Sequence, residues 1–116
     1  QYLRNYTTLH VGTKLACGEG GCGACTVLLS ELNCEEELSH RVVNACIFLV
    51  ADANGRHVTT IEAVEQIAAA GSACAVGHAK SKSLHPLQQS LIDHHGSQCG
   101  YCTPGFVVAM LPRWIQ

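Results

Sequence analysis

At 116 residues, with a formal net charge of -2 and only 14% Asp, Glu, Lys and Arg, the chain is about the size of one domain and carries no basic field for a nucleic acid or an anionic membrane. No apolar run approaches the roughly 18 residues needed to span a bilayer, and the opening QYLRNYTTLH has no signal-peptide core, so the chain reads as soluble and intracellular. Eight cysteines stand out, and positions 17, 22 and 25 and positions 99 and 102 form two tight clusters, which favours metal ligation over a secreted disulfide scaffold.

The first cluster lies in ACGEGGCGAC (16–25). Gly18, Gly20 and Gly23 match G-x-G-x-x-G, the fingerprint with which a glycine loop brings a pyrophosphate to a helix N-terminus. The next residues oppose that reading. CTVLLS (25–30) is a short β-branched and aliphatic run that predicts a strand, where a nucleotide loop would lead into a helix. An acidic, turn-like ELNCEEELSH (31–40) separates it from RVVNACIFLV (41–50). After a turn at Asn54-Gly55, RHVTTIEAV (56–64) predicts a strand running into a helical start, with a short helix over IEAVEQIAAA (61–70).

GSACAVGHAKSKS (71–83), rich in Gly, Ala and Ser, reads as a linker between two subdomains. Beyond it, LHPLQQSLIDHHG puts Pro86 at a first helical position, Leu87, Leu91 and Ile92 on one core-facing side, and Gly96 as a stop. In CTPGFVVAM (102–110), Thr103 is the expected N-cap and Pro104 the first helical residue, and Pro112 is expected to break or end that helix. Cys34 in the acidic turn and Cys74 in the linker are expected to be unligated thiols, and His94 and His95 to be solvated or capping groups.

Cys17, Cys22 and Cys25 have the spacing C-x-x-x-x-C-x-x-C, which with a distant fourth cysteine holds plant-type 2Fe-2S clusters. Cys46 is the natural fourth ligand. Four thiolates must converge on a compact, electron-rich centre while backbone N–H groups approach the sulfurs, and glycines permit that approach. A four-thiolate zinc site is the rival, although such sites typically pair C-x-x-C knuckles and do not wrap a glycine-rich loop. Cys99 and Cys102 sit at the mouth of a helix, where the positive end of the dipole favours thiolates, but two thiolates do not close a site.

GTKLACGEGGCGACTVLLS, VNAC, VTTIEAV, LHPLQQSL and HGSQCGYCTPGFVVAM together resemble the N-terminal iron–sulfur region of the molybdenum-flavin hydroxylases, most nearly the xanthine dehydrogenase branch, with the aldehyde oxidase branch next. The resemblance implies an α+β chain: a β-grasp, ferredoxin-like 2Fe-2S subdomain over 1–65, a linker or insertion over 66–83, and the start of a small helical 2Fe-2S subdomain over 84–116. By the same resemblance Cys17, Cys22, Cys25 and Cys46 hold a flavin-side cluster. Cys99 and Cys102 supply half the ligands of a molybdenum-side cluster, and Gln98 contacts the pterin.

The family's opening hairpin and its second C-x-C pair have no counterpart here, so the chain is expected to be a fragment. The implied function is single-electron transfer from a molybdenum-pterin centre to FAD, both on other domains of a homodimeric, cytoplasmic or peroxisomal enzyme acting on purines. No catalytic residue is expected in this chain. An aldehyde oxidase-type region, a stand-alone small iron–sulfur subunit and a zinc-stabilised structural module are the alternatives.

Overall fold

The structure, a computed structural model, describes residues 1–6, 10–70 and 84–115; the predicted linker over 71–83, with Cys74, lies outside the described residues. The elements in order are helix α1 (Tyr2–Asn5), strands β1 (Thr26–Leu32), β2 (Leu38–Asn44) and β3 (His57–Thr59), and helices α2 (Val64–Ala70), α3 (Pro86–Asp93) and α4 (Thr103–Trp114). Single 3-10 turns at Val50–Ala53 and Ile61–Ala63 flank β3. The strands form one antiparallel sheet in the order β2-β1-β3, which with the helices gives the α+β, ferredoxin-like arrangement.

The predicted strand at 25–30 is β1, and its central position explains why it is apolar throughout. Thr26 to Ser30 are all buried, because both faces of the strand are covered. Successive side chains point to opposite faces. Leu28 packs with Val64, Ile67, Val107, Val108 and Leu111, so α2 and α4 lie on one face. Val27 and Leu29 line a cavity of about 540 Å³ on the other, together with Tyr2, Phe48 and Val58.

Half of the acidic stretch 31–40 is strand, where its composition predicts a turn throughout. Glu31 pairs with Ser39 and Leu32 with Leu38, which leaves only residues 33–37 as the loop. Asn33 organises that loop: its side-chain oxygen accepts the N–H groups of Glu35 and Glu37 at 2.9 and 2.8 Å. Glu31 is tolerated on the strand because Arg56 and Arg41 approach its carboxylate, and the Arg56 hydrogen bond holds its pKa below the ordinary value.

In α3, Pro86 holds the first helical position as expected. His85 is the N-cap: its Nδ1 accepts the Leu87 N–H at 3.1 Å, and the Gln88 side chain accepts the His85 N–H at 3.0 Å. The His85 ring is fully buried and meets the Trp114 ring edge-on, with centroids 5.1 Å apart. Leu87 and Leu91 pack against the core, whereas Ile92 is 56% exposed, one position too far round the short helix to reach it. His94 is the C-cap, and the Gly96 N–H closes the end on the Leu91 carbonyl at 2.8 Å.

Helix α4 departs from expectation at both ends. Cys102 is its N-cap and Thr103 its first residue, so the Thr103 hydroxyl does not cap and lies 2.7 Å from the Ser97 hydroxyl. Pro112 does not end the helix, which runs to Trp114. The proline removes only the hydrogen bond to the Val108 carbonyl. Buried Leu111, the Trp114 contact with His85 and the Ile115 N–H bond to the Leu111 carbonyl at 3.1 Å hold the last turn in place.

Candidate metal centre

Strand pairing brings two of the predicted ligands together. Thr26 faces Asn44 across the β1–β2 ladder, and the Ala45 N–H donates to the Cys25 carbonyl at 3.2 Å, so Cys25 and Cys46 leave adjacent strands side by side. The Cys46 thiol is close enough to bear on the titration of Cys25. Cys25 is buried, and that burial, more than the neighbouring sulfur, pushes its thiol pKa above the ordinary value.

The other two predicted ligands meet on the outer rim of the loop. The Cys17 sulfur lies in the field of the Glu19, Cys22 and Gly21 backbone N–H groups and of the Cys22 thiol, all of which favour its charged form. The Glu19 amide contributes most, and together these donors lower the Cys17 pKa to about 6. A sulfur surrounded by N–H groups while still exposed is set up to carry negative charge, the state in which a thiolate binds metal.

The four cysteines therefore stand as two pairs, an exposed Cys17–Cys22 and an inner Cys25–Cys46. Among the described residues, no group of three or more His, Cys, Asp or Glu gathers around the position of a single ion.

The glycines that imitate a nucleotide fingerprint give the loop its shape. Gly20 has φ of 80°, and a Cβ there would stand 2.8 Å from Ile47 Cδ1, beside Cys46. Its carbonyl accepts the Asn44 side-chain N–H at 2.6 Å. Thr26 donates its hydroxyl to the Gly23 carbonyl at 2.6 Å, and the Lys14 N–H closes the loop on the Ala24 carbonyl at 3.0 Å. Leaving the loop from Cys25, the chain enters strand β1, where the nucleotide fingerprint would lead directly into a helix.

Asn44 and Thr26 were not singled out from sequence, although each is a polar residue within two positions of a predicted ligand. Glu62 was also missed. One of its carboxylate oxygens accepts the Gly12 N–H and the other the Thr60 hydroxyl, each at 2.6 Å, and His10 lies 3.7 Å away. This clamp fastens the chain leading into the cysteine loop to the segment after β3. It spans 50 residues, so no local pattern announces it. Burial alone would raise the Glu62 pKa, but the bonds from Thr60 and Gly12 outweigh it and the net shift is downward.

Cys99 and Cys102 are exposed on the turn before α4, where Gly100 has φ of 79° and Gln98 is also exposed. They share a neighbourhood with the first loop, because the Tyr101 hydroxyl donates to the Leu15 carbonyl at 3.1 Å. Cys34 is exposed in the β1–β2 loop, at the opposite end of β1 from Cys25.

Two family models match the chain. A 2Fe-2S iron-sulfur cluster binding domain covers residues 2–51 and so includes Cys17, Cys22, Cys25 and Cys46. A [2Fe-2S] binding domain covers residues 74–112 and includes Cys99 and Cys102. Xanthine dehydrogenase 2 of Arabidopsis thaliana is 48% identical over 111 residues, 95% of this chain and 7% of that protein. Xanthine dehydrogenase/oxidase of Gallus gallus is 44% identical over 110 residues, 94% of this chain and 7% of the relative. Xanthine dehydrogenase of Oryza sativa subsp. japonica is 41% identical over 111 residues, with 95% and 7% covered. The chain thus spans about 7% of the length of these relatives. Among the described residues no helix is long and apolar enough to cross a membrane.

Proposed function

Because the chain belongs to the xanthine dehydrogenase family and corresponds to its iron–sulfur region, we propose that it is the electron-transfer part of such an oxidoreductase, holding 2Fe-2S clusters and performing no substrate chemistry itself. The observation that carries this reading is the strand ladder that sets Cys25 beside Cys46 at the foot of the glycine loop bearing Cys17 and Cys22. A 2Fe-2S cluster supplies a one-electron store, so two of them can pass the two electrons of a substrate oxidation singly.

The work of the chain's own residues is then to bind and to tune. Cys17 and Cys22 bind at the rim and Cys25 and Cys46 at the base, where burial of Cys25 limits water around its sulfur. Amides of Glu19, Gly21 and Cys22 stabilise negative charge on the Cys17 sulfur. Cys99 and Cys102 supply two of the ligands of a second cluster, and Gln98 beside them contacts a pterin. In this proposal electrons run from a molybdenum-pterin centre past Cys99 and Cys102 to the first site and on to FAD, during purine oxidation. Both end centres sit on other domains of a homodimer.

Anaerobic reconstitution of the chain with iron and sulfide tests the reading. A visible spectrum that bleaches with dithionite, and a paramagnetic signal in the reduced protein, are expected. A colourless protein that takes up zinc and no acid-labile sulfide would overturn it in favour of a structural module.

A further inference from the structure

The N-terminal turn of α4 carries the second cysteine pair at its mouth, and one residue decides how closely that turn approaches the first loop. Gly105 lies three residues after the N-cap Cys102 and is buried. A Cβ built on it would stand 2.0 Å from the Gly23 carbonyl oxygen, 3.1 Å from the Gly23 carbonyl carbon and 3.3 Å from Thr26 Cβ. The obstacle is backbone, which cannot rotate aside as a side chain can. Gly23 lies between Cys22 and Cys25, and Thr26 follows Cys25, so the helix that begins at one cysteine pair touches the peptide linking two ligands of the other.

The Gly23 carbonyl is itself fixed, since it accepts the Thr26 hydroxyl at 2.6 Å and the Thr26 N–H at 3.0 Å. A glycine in the first turns of a helix weakens it by roughly 0.5–1 kcal/mol relative to alanine, so local helix preference does not account for the residue. The close contact does. Further along the same helix, against the same face of β1, Val107, Val108 and Leu111 supply the adhesion to the core. Gly105 contributes no adhesion of its own and only permits approach.

We propose that Gly105 is a positioning residue that sets the separation of the Cys99–Cys102 pair from the four-cysteine loop, by letting α4 rest directly on the Gly23 carbonyl. This deepens the two-site electron-transfer reading and rests on it. Any larger residue at 105 must lift the start of α4, and with it Cys102 and Cys99, away from the loop. The Tyr101 hydroxyl bond to the Leu15 carbonyl spans the same gap and would be stretched by that movement.

The test uses this chain with Cys34, Cys74 and Cys102 changed to serine, its first site reconstituted with iron and sulfide, and a nitroxide attached to Cys99. Reduction makes the first site paramagnetic and speeds the relaxation of the nitroxide with a steep dependence on distance. Gly105→Ala is expected to weaken this enhancement while iron and sulfide content stay as in the parent. Thr26→Val removes the hydroxyl bond that aims the Gly23 carbonyl and is expected to weaken it less; it also provides a reading with α4 unaltered should Gly105→Ala not fold. Val108→Ala, which loosens the same helix on its core face, is expected to leave the enhancement unchanged. Unaltered relaxation in both Gly105→Ala and Thr26→Val, or an equal change in Val108→Ala, would overturn the proposal. Failure of the parent to take up iron and sulfide would instead overturn the electron-transfer reading beneath it.

Discussion

Glu62→Gln tests whether the clamp beneath the cysteine loop is electrostatic. The carboxylate accepts two short bonds, from the Gly12 amide and the Thr60 hydroxyl, and its side chain is 28% exposed. Hydrogen bonds to a charged group contribute about 1.5–3 kcal/mol each, and a glutamine retains one carbonyl acceptor while turning an NH2 toward the other donor. One bond is lost, so the variant should be less stable by about 2 kcal/mol near neutral pH, roughly 30-fold in the ratio of folded to unfolded chain.

The pH dependence has a definite sign. The folded Glu62 pKa lies below its unfolded value, so the stabilisation is fully present above the unfolded pKa and is lost as pH falls through the folded one. The difference between the parent and the variant should therefore be full at neutral pH and close progressively below about pH 4. Urea unfolding of both proteins, followed by circular dichroism at several pH values, measures it. Equal stability at neutral pH, or a gap that persists undiminished in acid, would refute the reasoning.

Three further outcomes follow from the site and the helices. Cys46→Ser should abolish uptake of iron and sulfide at the first site, whereas Cys34→Ser, in the exposed β1–β2 loop, should leave it intact by elemental analysis. In the metal-free chain Cys17 should be the fastest thiol to react with iodoacetamide at neutral pH, with a half-maximal rate near its pKa of about 6, as peptide mapping by mass spectrometry will read. Pro112→Ala should stabilise the chain by about 1–2 kcal/mol in urea unfolding, because it restores a helical N–H toward the Val108 carbonyl.

The sequence carried the site further than it carried the elements around it. Cysteine spacing alone pointed to Cys17, Cys22, Cys25 and Cys46, and the structure sets these in pairs because a strand ladder juxtaposes Cys25 with Cys46. The helix beginning next to Cys102 was readable from Thr103 and Pro104, one residue out of register. Acidic composition hid the strand pairing of Glu31 with Ser39, because the arginines that neutralise Glu31 come from positions 41 and 56. Pro112 looked like a stop because burial of Leu111 and the ring contact between Trp114 and His85 are tertiary facts. For the same reason no local pattern revealed Asn44 bracing the Gly20 carbonyl or Glu62 holding the Gly12 amide.

Native mass spectrometry of the anaerobically reconstituted chain tests the central claim most directly. The expected result is a mass increment of one Fe2S2 unit at the first site, kept when Cys99 is changed to serine and lost when Cys25 or Cys46 is. An increment of a single zinc, or an Fe2S2 unit that survives the loss of Cys46, would contradict the assignment of these four thiols to an electron-transfer cluster.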